Sequence, residues 1–167
     1  MAEKDLLEGK RILIVDDEHD ILDTLEDLLP MCIVSKASSF DEAKNLFENE
    51  YYDIAILDIM GVAGFKLLYI ANKRKVMAVM LTAYALSPEN IIKSYRNGAA
   101  SYIPKDEIGN ITNFLNDILV AKEKGRNTWE RWFHRLGSIW RQKFGHDWQD
   151  KDKGFWEKFN ASNRNNQ

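Results

Sequence analysis

Reactive side chains stand directly after several short apolar runs of this sequence. They are two adjacent aspartates, a third aspartate, a threonine and a lysine: Asp16, Asp17, Asp58, Thr82 and Lys105. Carboxylates that cluster without compensation repel one another and raise one another's pKa, whereas a hard divalent cation holds them ionised through oxygen coordination. If the three aspartates meet in the fold, they therefore predict a site for Mg²⁺ or Mn²⁺.

A carboxylate beside such a cation can attack phosphorus and form an aspartyl phosphate. Asp58 stands singly, whereas Asp16 and Asp17 could pair as a metal cradle opposite it. The Lys105 ammonium would neutralise the phosphoryl oxygens, and the Thr82 hydroxyl would have a natural phosphate partner. Each of these residues has an ordinary structural explanation when taken alone. Their common position after strand-like runs favours phosphoryl chemistry on Asp58.

Five strand-helix units are needed to position these side chains. The predicted strands are short apolar runs at 11–15, 32–37, 54–57, 76–81 and 99–103, and each is followed by a helix signal, either an apolar pattern or a cap. Ser39 with Glu42 has the spacing of a capping box, and Ser87 followed by Pro88 predicts another helix start. Such alternation predicts a parallel sheet with helices on both faces, and the binding crevice of such sheets lies at the carboxyl ends of the strands.

The ordered motifs resemble those of the receiver domains of two-component response regulators. The matching pieces are ILIVDDE at 12–18, ILD at 56–58, MLTA at 80–83 and GAASYIPK at 98–105, and the resemblance covers about residues 10–122. It implies an α/β, flavodoxin-like (βα)5 fold, a doubly wound parallel sheet with strand order 2-1-3-4-5. It also implies phosphorylation of Asp58 by a sensor histidine kinase or phosphotransfer protein, followed by autodephosphorylation.

The resemblance assigns further roles residue by residue. Asp17 and Asp58 would bind Mg²⁺ directly, Asp16 would bind it through water, and Met60 would contribute its backbone carbonyl. Thr82 and Lys105 would contact the phosphoryl group. Tyr102 would be the switch residue whose ring swings inward when Thr82 moves.

Three features depart from the family pattern. The loop after Asp58 reads IMGVAG, so Gly64 comes only six positions later and no proline precedes it. This shortens the rim of the site. The usual Lys-Pro pair is reversed as Pro104-Lys105, and the bulky Tyr84 stands two residues after Thr82. Tyr84 either screens an attacking water and slows hydrolysis or merely covers the rim.

Charge and tryptophan content divide the 167 residues into two parts. Residues 1–125 carry 14 Lys and Arg against 21 Asp and Glu, a net −7, whereas residues 126–167 carry 9 against 5, a net +4. All five tryptophans fall in the second part: Trp129, Trp132, Trp140, Trp148 and Trp156. We therefore expect a receiver domain over 10–124 and a helical C-terminal extension over 125–167, which is too short for a convincing core of its own.

The extension carries an apolar stripe with helical spacing. The stripe comprises Trp129, Trp132, Phe133, Leu136, Ile139, Trp140 and Phe144, with arginines off that face. One interpretation is that the helix packs on the receiver domain or on its twin in a homodimer. Another is that it docks a downstream protein or a membrane surface. A DNA-binding output module is not favoured, because 42 residues leave little room for one and the charge is modest.

Compartment and function class are bounded by composition. The single cysteine, Cys32, cannot form an internal disulfide, the segment MAEKDLLEGK lacks a signal-peptide core, and no apolar run is long enough to span a bilayer, so we expect a cytoplasmic protein.

One alternative function is a non-cycling receiver-fold scaffold whose tail mediates dimerisation or docking. Another is a phosphohydrolase of the haloacid-dehalogenase type, which expects an aspartate where Met60 stands.

Overall fold

The computed structural model describes residues 5–83, 87–145 and 152–165. It contains five strands, seven α-helices and one 3₁₀ helix. In chain order they are β1 (Arg11–Val15), α1 (His19–Leu28), β2 (Ile33–Ala37), α2 (Phe40–Asn49), β3 (Ile54–Asp58), α3 (Gly64–Lys73), β4 (Met77–Thr82), α4 (Pro88–Arg96), β5 (Ser101–Pro104), the 3₁₀ helix (Lys105–Asn110), α5 (Ile111–Glu123), α6 (Trp132–Phe144) and α7 (Lys153–Asn165). Each strand predicted from the sequence is present, with ends that differ by at most two residues.

The five strands form one parallel sheet in the order β2-β1-β3-β4-β5. This confirms the flavodoxin-like fold and the strand order. The inner strands β1, β3 and β4 are apolar and almost entirely buried, as expected where both faces of a parallel sheet are covered, whereas β2 at the edge is partly exposed. Helices α1 and α5 pack against each other, as do α2 and α3, and α4 lies against β5.

The predicted helix starts are confirmed by their caps. The Ser39 hydroxyl accepts a hydrogen bond from the Glu42 amide at the start of α2. The Ser87 hydroxyl accepts one from the Asn90 amide at the start of α4, where Pro88 occupies the first turn. Each cap satisfies an amide that the helix itself leaves without a partner.

The extension differs from its predicted form in two ways. Trp129 precedes α6 in a turn, because the Asn127 side chain accepts a hydrogen bond from the Trp129 amide and the helix begins only at Trp132. A second helix, α7, follows, which the apolar stripe alone did not predict. Within the described residues, no helix is both long and apolar enough to cross a membrane.

Candidate phosphoacceptor site and its connection to the tail

The strand ends bring the predicted residues to one edge of the sheet. Val15 pairs with Leu57, so Asp16 follows β1 at the level where β3 ends on Asp58. Asp58 pairs with Leu81, the residue before Thr82 at the end of β4. Thr82 in turn pairs with Pro104, directly before Lys105. Because β1, β3, β4 and β5 are consecutive in the sheet, the side chains converge as the sequence predicted.

Three carboxylates form the centre of the site. Oxygen atoms of Asp16, Asp17 and Asp58 all lie within 4.8 Å of one another. Asp16 and Asp58 are buried, whereas Asp17 is exposed. We call this cluster the acidic pocket; two of its acids are buried and the third is exposed to solvent.

Lys105 supplies the positive charge that this cluster needs. Its Nζ lies 2.9 Å from Asp16 Oδ2, 3.2 Å from Glu18 Oε2 and 3.4 Å from Asp58 Oδ1. Lys105 Nζ and Asp16 Oδ2 form an ion pair whose angle is not that of a hydrogen bond. Glu18 Oε2, in contrast, accepts a hydrogen bond from Lys105 Nζ. Burial alone would lower the pKa of Lys105, but the surrounding carboxylates raise it above its ordinary value. The ammonium is therefore held in place among the acids.

Asp16 is fixed by the backbone around it. Its own amide donates to the Ala37 carbonyl at 3.1 Å, and its Oδ1 accepts a hydrogen bond of 2.9 Å from the Glu18 amide at the start of α1. Burial raises the pKa of Asp16 although this hydrogen bond and Lys105 act in the opposite direction. A cation in the pocket would favour its ionised form.

The loop after β3 lies close to the carboxylates. Asp58 Oδ2 accepts a hydrogen bond of 3.1 Å from the Gly61 amide. A Cβ on Gly64 would overlap the Asp58 carbonyl oxygen, so only glycine lets α3 begin this near the strand end. Met60 lies in the turn with its side chain 66% exposed. The short loop that departs from the family pattern thus still reaches the site.

Thr82 and Tyr102 lie side by side on β4 and β5, and both are buried. Thr82 Oγ1 has no hydrogen-bond partner among the residues that the structure describes. Burial raises the pKa of the Tyr102 phenol to about 12, although the nearby Thr82 hydroxyl partly opposes this shift. The Tyr102 ring is therefore enclosed beside Thr82. Tyr84 lies outside the described residues.

The donor set fits a hard divalent cation. Carboxylate oxygens from three aspartates approach one another closely, and such oxygens are the ligands that Mg²⁺ prefers. Exposed Asp17 leaves one side open to solvent, as suits an ion that keeps several waters. The pocket thus has the chemistry expected of a metal-assisted phosphoryl acceptor.

The tail lies against the β5 edge of the same sheet. The Trp129 indole donates a hydrogen bond of 2.7 Å to the Ala99 carbonyl, and the Trp132 indole donates one of 2.8 Å to the Tyr102 carbonyl. Tyr102 belongs to β5, the edge strand of the sheet, and Ala99 lies just before it; within the described residues no further strand pairs with β5. The extension therefore packs on its own receiver segment.

An aromatic cluster completes this interface. Tyr95 of α4 makes edge contacts with the rings of Trp129, Phe155 and Phe159, at centroid distances of 5.4, 5.5 and 5.1 Å. Trp129, Trp132 and Trp156 are no more than 3% exposed. Those three indoles are therefore enclosed within the chain.

Ion pairs lie around the rim of this interface. Arg135 of α6 pairs with Asp117 of α5, and its guanidinium lies 5.9 Å from the centre of the Phe114 ring. Arg96 of α4 lies 3.8 Å from Asp152 and 5.2 Å from the centre of the Phe155 ring. The tail thus contacts α4, β5 and α5 together.

The sequence reasoning missed two residues at the pocket. Glu18 was quoted within the motif at 12–18, but its contact with Lys105 was not predicted; its place directly after two acids was the available signal. Gly61 lies in the loop after Asp58 and has no role in the sequence analysis, yet its amide contacts Asp58. No local pattern showed that Tyr95 would receive the tail.

Comparisons with known proteins agree with this geometry. The family model for the response regulator receiver domain matches residues 12–116. A two-component response regulator of Arabidopsis thaliana is 30% identical over 129 residues, which is 71% of this chain and 22% of that protein. A probable transcriptional regulator of Guillardia theta is 38% identical over 106 residues, 60% of this chain and 41% of that protein. This chain thus spans less than half the length of these curated relatives.

Solved structures are similar as well. A CheY-like receiver domain protein from Methanospirillum hungatei has a TM-score of 0.64 and 33% identity, over 71% of this chain and 99% of that one. A response regulator from Burkholderia pseudomallei, solved with a phosphorylated aspartic acid, calcium ion and citrate, has a TM-score of 0.54 and 25% identity, over 58% and 60%. Residues 12–116, which the family model matches, contain the strand ends that form the pocket. Because this match covers more than half of the chain, the chain belongs to the response regulator receiver domain family.

Proposed function

We propose that this chain is a phosphorylation-activated switch that accepts a phosphoryl group on Asp58. The observation that carries this proposal is the position of the Asp58 carboxylate beside the Lys105 ammonium and the two acids that follow β1. The related structure with a phosphorylated aspartic acid supports the same chemistry. The donor would be a sensor histidine kinase or a phosphotransfer protein, in keeping with the two-component relatives, and we propose the cytoplasm as the location.

The transfer step is a displacement at phosphorus. An Asp58 carboxylate oxygen forms the new bond to phosphorus, while the bond to the donor's leaving atom breaks and its electron pair departs with that atom. Lys105 contacts Asp16, Glu18 and Asp58 before the reaction. Its ammonium then contacts the phosphoryl oxygens and neutralises their negative charge. The Thr82 hydroxyl, which is buried and has no hydrogen-bond partner within the described part of the chain, gains an acceptor in the product.

A divalent cation would complete the site. We assign Asp17 and Asp58 as direct ligands, Asp16 as a ligand through water and the Met60 carbonyl as a backbone ligand, for Mg²⁺ or Mn²⁺. When bound, the cation supplies charge neutralisation for the phosphoryl oxygens. The clustering of the three aspartates supports this assignment.

The output would pass through Thr82 and Tyr102 to the surface of β5. Movement of Thr82 toward a phosphoryl group changes the packing of the Tyr102 ring, and the Tyr102 carbonyl accepts the Trp132 indole hydrogen bond. We therefore propose a receiver domain at 10–124 that signals by protein-protein contact, with the extension at 125–167 responding to its state.

Incubation with acetyl phosphate and Mg²⁺, followed by intact-mass measurement, tests the proposal. We expect one phosphoryl group on the wild type and none on Asp58→Asn. Asp20→Asn, which removes an exposed acid of α1 near the same motif, should be labelled like the wild type. Labelling of Asp58→Asn at the wild-type rate would refute the assignment.

The same experiment separates the alternatives. An unlabelled wild-type protein would favour the non-cycling scaffold that acts through its tail. Continuous turnover of acetyl phosphate, far faster than decay of the labelled protein, would favour a phosphohydrolase. A single stable label supports the switch.

A further inference from the structure

The backbone conformation at position 61 does not require a glycine. It lies in the turn between β3 and α3, and its φ is outside the left-handed region. An alanine could therefore adopt the same backbone without strain. The reason for a glycine at this point must come from its neighbours.

The neighbour is the Asp17 carboxylate. A Cβ built on Gly61 would overlap the carboxyl carbon and both oxygens of Asp17. The Gly61 amide also donates a hydrogen bond of 3.1 Å to Asp58 Oδ2. One residue thus contacts two acids of the pocket that come from different strands.

We propose that Gly61 is a positioning residue that leaves room for the Asp17 carboxylate beside Asp58, and thereby sets the affinity of the pocket for its divalent cation. This inference rests on the proposed function. Since the loop after Asp58 is short, it brings Gly61 directly against Asp17, and a side chain there would push this carboxylate away from the cluster.

We expect Gly61→Ala to weaken cation binding without destabilising the fold. Asp17 is exposed, and its carboxylate is the free end of a side chain that can rotate into solvent. Gly64 differs, because a Cβ there would meet the backbone of Asp58 and Ile59, which cannot move without the strand. Gly61→Ala is therefore the variant that separates the two roles.

Mn²⁺ titration, followed by the electron paramagnetic resonance of the free ion, gives the first readout. We expect Gly61→Ala to raise the Mn²⁺ dissociation constant by about 10- to 100-fold, the usual loss when a residue that orients a ligand is changed. Its unfolding temperature in EDTA should stay within about 2 °C of the wild type. Gly109→Ala is the matched control, since a Cβ at Gly109 meets nothing within 4 Å and should change neither quantity.

Phosphorylation by acetyl phosphate gives a second readout. Gly61→Ala should need more Mg²⁺ for its half-maximal rate, while the rate at saturating Mg²⁺ recovers toward that of the wild type. A merely structural role would instead lower the plateau and the unfolding temperature together. That result would overturn the inference.

A double variant tests whether Gly61 acts through Asp17. In an Asp17→Ala background no carboxylate remains for the new Cβ to displace, so adding Gly61→Ala should weaken Mn²⁺ binding no further. Additive losses would overturn the inference, as would equal Mn²⁺ affinity in Gly61→Ala and a wild type that binds the ion. A wild type that binds no Mn²⁺ would instead refute the metal assignment of the proposed function.

Discussion

The acidic pocket lies at the carboxyl ends of the strands, the tail interface lies along the outer edge of β5, and the two are held together by different interactions. In the pocket, charged groups are buried among one another, and the Lys105 ammonium offsets three nearby carboxylates. At the tail interface, aromatic rings pack in edge contacts and buried indoles donate to backbone carbonyls. In the pocket, the charged side chains can exchange partners when a phosphoryl group arrives. The tail interface instead covers the edge of β5 and stabilises it.

Removal of Lys105 should have the largest effect on stability. In Lys105→Met, Asp16 and Asp58 lose their buried counter-charge, and we expect the metal-free protein to lose about 3 kcal/mol of unfolding free energy. Mg²⁺ should then raise the unfolding temperature of the variant more than that of the wild type. Urea unfolding in EDTA and in Mg²⁺ measures both effects.

Lys36→Met is the matched control. Lys36 also contacts two carboxylates, those of Asp23 and Glu26, but at an exposed position where solvent screens the pairs. We expect little change in stability. Equal losses in the two lysine variants would show that burial of Lys105 does not distinguish the pocket from an ordinary surface pair.

Removal of one indole donor should have a smaller effect. Trp132→Phe leaves the Tyr102 carbonyl buried without its hydrogen bond while keeping an aromatic ring, and we expect a loss of about 1–2 kcal/mol. Urea unfolding measures it, with the exposed Tyr51→Phe as control. An unchanged stability would mean that the tail does not hold the β5 edge as described.

The rim of the interface should contribute least. Arg135→Gln removes the ion pair with Asp117 at a partly exposed position, and we expect a loss of at most about 1 kcal/mol. Because exposed pairs are screened, the difference from the wild type should shrink in 1 M salt. A loss as large as that of Trp132→Phe would place the binding energy of the tail at its rim.

The two regions also differ in how far the sequence predicts them. Asp16, Asp58, Thr82 and Lys105 were predicted to meet because each follows a strand, and the carboxyl ends of parallel strands share an edge. Their distances could not be predicted, and neither could the contact of Glu18 with Lys105, because these depend on side-chain packing.

The contacts of the tail are harder to predict from the sequence than the residues of the pocket. Its apolar stripe predicted that one face is buried, but it did not specify the surface that receives it. The answer depends on Tyr95 and on two carbonyls of the β5 edge, which are far from Trp129 in sequence and carry no pattern of their own. The start of α6 at Trp132 was also missed, because the Asn127 side chain ties the preceding turn.

Tyr102 connects the two regions, since its ring lies beside Thr82 and its carbonyl binds the Trp132 indole. The tryptophans of the chain all lie in the tail, so intrinsic fluorescence reports the interface without any signal from the receiver segment. Thr82→Ala removes the hydroxyl that would sense the phosphoryl group, and this variant should bind a phosphoryl mimic without passing the change to the tail.

Tryptophan emission and iodide quenching, measured before and after addition of Mg²⁺ and beryllofluoride, test this connection most directly. We expect both to change in the wild type and to stay constant in Thr82→Ala, with binding of beryllofluoride to each protein checked by fluorine NMR. Emission and quenching that stay constant in a wild type shown to bind beryllofluoride would contradict the coupling between the pocket and the tail.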